Sequence, residues 1–98
     1  MLPIDKVPND DESFVRFLNE QVLQLHIYLE SVQDKTTLRD KLREIRKRAE
    51  SPQHKQTYEN AQSKIKPNIP FQRIVDEFFK YEDVLTYAIA SENRPKNR

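Results

Sequence analysis

The residues of this 98-residue chain whose types and spacing could do chemistry are two histidines, three pairs of adjacent acids and a row of arginines. His26 and Glu30 are four apart and can share a helix face, as two metal ligands would. A metal site needs three or four converging ligands, however, and neither His26 nor His54 belongs to an H-E-x-x-H or E-x-x-H motif. Both read as surface or edge histidines, and the expectation is no metal and no cofactor. The acid pairs, Asp10-Asp11, Asp76-Glu77 and Glu82-Asp83, raise general acid–base work. Neighbours on a helix point about 100° apart, so adjacency alone does not make a paired site, and the first pair is explained by a helix start. Glu82 falls within an otherwise apolar arc, which predicts partial burial. A buried carboxylate needs a partner or its pKa rises. Glu82 is therefore either a boundary residue bonded to a tyrosine or an arginine, or a general acid or binding anchor.

Composition removes further classes. With no cysteine there is no thiolate zinc site, disulfide or cysteine nucleophile. With no glycine there is no phosphate-cradling P-loop, dinucleotide fingerprint or nucleophile elbow, because each needs glycine for its backbone geometry. No nucleophile–base pair is visible, so a non-catalytic protein is expected.

Charge is unevenly spread. Residues 1–34 hold two bases and seven acids, residues 35–66 hold ten bases and four acids, and residues 67–98 hold five of each, within a formal net charge of +1. Arg39, Arg43 and Arg46 form one row beside an apolar seam, with Lys47 next to it. Such a row could neutralise phosphates, meet an acidic protein, or pair with the acids of the first helix inside the bundle or across a dimer. Only Tyr58 supplies an aromatic in the basic segment, which weighs against stacking on nucleic acid.

The elements that must position these residues follow from apolar periodicity. Residues 1–9, with Pro3 and Pro8, read as an extended lead-in. Acids at 10–12 begin a long helix over about 11–33, whose core face is Phe14, Phe17, Leu18, Val22, Leu25, Tyr28, Leu29 and Val32, with Gln21 inside it. Thr37 with Asp40 resembles a capping box opening a second helix over about 37–50, with the seam Leu38, Leu42, Ile45 and Ala49. Ser51-Pro52 is an N-cap followed by proline at the first helical position. It starts a third helix over about 52–66, with the stripe His54, Tyr58, Ala61 and Ile65, unless the second helix merely bends there. Pro67 and Pro70 bracket a linker before a last long helix over about 70–91, built on Phe71, Ile74, Val75, Phe78, Tyr81, Leu85, Ala88 and Ile89. A polar tail, 92–98, is expected to fray. The fold class is all-α: a single domain, 1–98, folded as an antiparallel three- or four-helix bundle.

Leu23 and Ile27 lie opposite the core face of the first helix, and Phe79 and Tyr87 lie off the core face of the last. They could be scattered exposed residues, be covered by another helix, or meet a second molecule. A homodimer sharing a core through these two helices would relieve the low hydrophobic content of 36%. No secretory signal or membrane-length apolar run is present, so a cytoplasmic protein with no membrane partner is expected. The function expected is that of a small interaction protein, an adaptor, regulatory subunit or inhibitor, binding a protein partner through helix faces. The alternative is a nucleic-acid-binding bundle using residues 35–66.

Overall fold

The computed structural model describes residues 3–92, which form five α-helices and no strand. They are α1 (Asp11–Val22), α2 (Leu25–Ser31), α3 (Lys35–Ala49), α4 (Pro52–Ala61) and α5 (Phe71–Glu92), with 3₁₀ turns at Pro3–Asp5 and Gln62–Lys64. The class is the all-α one read from the periodicity, and no helix among the described residues is long and apolar enough to cross a membrane.

The apolar faces meet in one core. Phe14, Leu18, Leu42, Tyr58, Phe78 and Leu85 are all at most 1% exposed. α3 and α5 form the main pair and run antiparallel: Lys35 reaches Glu92 at one end (2.6 Å), and Arg46 reaches Glu82 nearer the other. Each helix start has a local cause. Asp10 caps α1 by accepting from the Ser13 amide, and Ser51 caps α4 with Pro52 in the first turn. The cap of α3 is Asp34, not the expected Thr37–Asp40 box. Its carboxylate accepts from both the amide and the hydroxyl of Thr37, so the helix begins two residues early.

Other boundaries also differ from the periodic reading. The first long helix is broken at Leu23 and Gln24, whose amides bond three residues back, to the carbonyls of Glu20 and Gln21, so the chain tightens there and changes direction. Buried Gln21 accepts a hydrogen bond from the Tyr28 hydroxyl across the break and holds the two pieces together. The third helix ends at Ala61 instead of 66 and passes into the 3₁₀ turn. The lead-in is not simply extended: Pro3–Asp5 turns and buries Ile4, and Arg48 donates to the Pro8 and Asn9 carbonyls, tying the segment to α3. The expected frayed tail starts one residue too early, since Glu92 closes α5; residues 93–98 lie outside the described ones.

Candidate functional site: a groove at the break in the first helix

The break at Leu23 and Gln24 leaves a dent, and the linker after α4 closes one side of it. Asn19, 1% exposed, donates to the Tyr58 hydroxyl (3.2 Å) and to the Pro67 carbonyl (3.0 Å). The Tyr58 hydroxyl donates in turn to the Ile69 carbonyl (2.5 Å). Burial raises the Tyr58 pKa, which keeps this donor protonated. These bonds fix Pro67–Pro70 against α1 and α4. The resulting groove, about 370 Å³, is walled by Val22, Leu23, Ile69, Pro67 and Pro70, with Arg73 and Glu77 of α5 on its rim. Leu23 is 45% exposed, and Ile27, one turn further along on α2, is equally so.

The other two off-face residues lie elsewhere. Phe79 is 47% exposed, but the Arg46 guanidinium sits 4.3 Å from its ring centroid, so one face is already in use. Tyr87, 73% exposed, stands about 80° beyond Phe79 around α5 at helical spacing and points away from the core. Of the four, Leu23 lines the groove; Ile27 follows four residues on, and Phe79 and Tyr87 stand on α5 and are not among the groove's lining residues.

The arginine row meets an acid, though not the expected one. It pairs with Glu82 of α5 instead of the acids of the first helix, because α3 packs chiefly along α5. Arg46 donates to both Glu82 oxygens (2.5 and 3.0 Å) and to Glu50 (3.0 Å). Arg43 Nε lies 3.6 Å from Glu82, and Arg39 pairs with Asp40 at 3.2 Å. Glu82 is 2% exposed and Arg46 9%. The hydrogen bond that Arg46 donates to Glu82 is the main cause that raises the Arg46 pKa and holds it charged. Of the four basic residues singled out, Lys47 is exposed, Arg39 and Arg43 are half-buried and Arg46 is buried. Glu82 is thus the arginine-bonded residue that its position in the apolar arc allowed.

One cluster was not legible in the sequence. Ser51, His54 and Asp11 converge at the start of α4: His54 Nδ1 lies 2.7 Å from Ser51 Oγ, and Nε2 lies 3.1 Å from Asp11 Oδ1. A hydroxyl, an imidazole and a carboxylate in this order suggest nucleophilic catalysis. The contacts fit a fastening between helices: Nδ1 is also 2.9 Å from the Arg48 carbonyl, which can only accept, and a bond to it needs the proton on Nδ1, where it could take none from Ser51. Nε2 sits off the line a hydrogen bond to Asp11 requires. Ser51 is meanwhile occupied as the α4 cap. The cluster fastens α4 to α1, and its ring rests edge-on against Phe14 at 4.9 Å. His26 is exposed on α2 and is not part of it.

No protein-family model matches the chain, and neither a curated protein nor a solved structure matches it.

Proposed function

We propose that the protein is a small non-catalytic helical interaction protein, an adaptor, regulatory subunit or inhibitor, that binds a protein partner through the surface around Leu23 and Ile27. The observation that carries this reading is the pair itself. Two large aliphatic side chains, one in the helix break and one just after it, stand 45% exposed, and the first walls a groove whose other side is fixed by hydrogen bonds. A preformed apolar surface flanked by a few polar groups suits a docking segment better than a reaction. The alternative, nucleic acid on residues 35–66, is weakened by the pairing of Arg39, Arg43 and Arg46 with Asp40 and Glu82, which leaves less unpaired charge to meet phosphates.

The test is a quantitative affinity enrichment with the intact protein and with a Leu23→Asp/Ile27→Asp variant, both checked for unchanged helix content. Partners that drop out with the variant support the reading. Partners retained equally by both contradict it. Retention on heparin at low salt, lost steeply as salt rises, would favour the alternative. Sedimentation equilibrium of the two proteins reads the homodimer directly, since a dimer built on this surface becomes a monomer of 11.8 kDa in the variant.

A further inference from the structure

We infer that the occupant of the groove is a short peptide segment of a partner protein that carries a large aliphatic residue next to an aspartate or glutamate. The inference rests on the docking reading above and adds to it the chemistry of the partner. The aliphatic half comes from the walls, since Leu23, Ile69 and Pro70 offer apolar contact and no charge. The acidic half comes from the rim. Arg73 is exposed, stands on the groove, and forms no ion pair with any described carboxylate, although Glu77 is one helical turn away. The chain's other arginines among the described residues are engaged: Arg16 with Glu12, Arg39 with Asp40, Arg43 and Arg46 with Glu82, and Arg48 with the Pro8 and Asn9 carbonyls. A guanidinium keeps its charge at any physiological pH and offers a planar fork that matches a carboxylate. Glu77 shares the rim and is half-buried, so it repels an acid placed one turn further on and fixes the register: the carboxylate lies at the Arg73 end and the aliphatic side chain between Leu23 and Pro70.

The test is selection from a randomised peptide display library against the intact protein, repeated with Arg73→Glu and with Leu23→Asp. The wild-type protein should enrich peptides in which a Leu, Ile, Met or Phe lies within a few residues of Asp or Glu. Arg73→Glu should weaken those peptides about ten- to hundredfold, the range for a lost charged hydrogen bond, and should shift the selected charge to Lys or Arg. Leu23→Asp should abolish binding. If apolar peptides are selected with no preference for acids, and Arg73→Glu leaves their affinity unchanged, the acidic partner is refuted while docking at the groove stands. If Leu23→Asp leaves the selected peptides bound, the docking reading fails together with the inference. Circular dichroism of each variant confirms that a lost signal does not come from a lost fold.

Discussion

Glu82→Gln should be among the most damaging isosteric changes available in this chain. The substitution keeps the shape and removes the charge that Arg46 faces at 2.5 and 3.0 Å, with side-chain exposures of 10% for Arg46 and 3% for Glu82. Removing one partner of a buried pair leaves the other charge uncompensated and costs ~3–5 kcal/mol. Arg46 keeps Glu50 at 3.0 Å, but that carboxylate is 44% exposed and partly screened, so the low end, about 3 kcal/mol, is expected. For a domain of this size that is a fall in Tm of roughly 12–24 °C, at ~4–8 °C per kcal/mol. Arg43→Gln is the control: at 3.6 Å and 43% exposure it should cost only ~0.2–1 kcal/mol. The double change Arg46→Met/Glu82→Leu removes both charges and should recover most or all of the loss, since well-packed apolar replacements of buried pairs are often neutral or better. Urea unfolding followed by far-ultraviolet circular dichroism measures all four proteins. A Glu82→Gln protein within ~0.5 kcal/mol of wild type, the range of an ordinary surface change, would refute a buried, mutually dependent pair.

Phe78→Ala, at a side chain 1% exposed in the centre of the core, should cost ~3–5 kcal/mol in the same assay. Ser51→Ala removes the α4 cap and should cost ~0.5–2 kcal/mol, with no compensating change in α3. Hydrogen bonds from Thr37, first its hydroxyl and then its amide, hold the Asp34 carboxyl below the usual aspartate range, and the Ser13 amide does the same for Asp10. Because the folded values are depressed, this stabilisation is complete above the unfolded aspartate value of ~3.9 and is lost as pH falls through the folded ones. Asp34→Asn caps without titrating, so its urea midpoint should fall less between neutral and strongly acid pH than that of wild type.

Much of the fold was legible because helical burial repeats with the helix period. The seam Leu38, Leu42, Ile45 and Ala49 and the stripe His54, Tyr58, Ala61 and Ile65 are buried throughout, and the arc on α5 includes Glu82. The break at Leu23 and Gln24 was not legible. It carries no proline or glycine, and what accompanies it, the buried bond between Gln21 and Tyr28 across the break, leaves no periodic mark. For the same reason the groove is invisible in the sequence: its far wall is a linker pinned by Asn19, 48 residues from Pro67. The burial of Ile4 was not legible because two apolar residues between prolines, Ile4 and Val7, are too few to show a period. The exposure of Leu23, Ile27, Phe79 and Tyr87 followed from their angles, but the place of Leu23 on a groove depended on the helix break, and the covering of one Phe79 face on where Arg46 lies. The arginine row was visible, whereas its partner depended on which helix α3 packs against.

Site-specific photo-crosslinking in the source cell tests the central claim most directly. A photoreactive amino acid is placed singly at Leu23, at Ile27 and, as a control, at exposed Gln56 of α4. Discrete protein adducts of one mass at positions 23 and 27, absent at 56, are the result predicted for a partner docked at the break in the first helix. Adducts at 56 as strong as those at 23 and 27, or none at 23 and 27 while the variants remain helical, would contradict it.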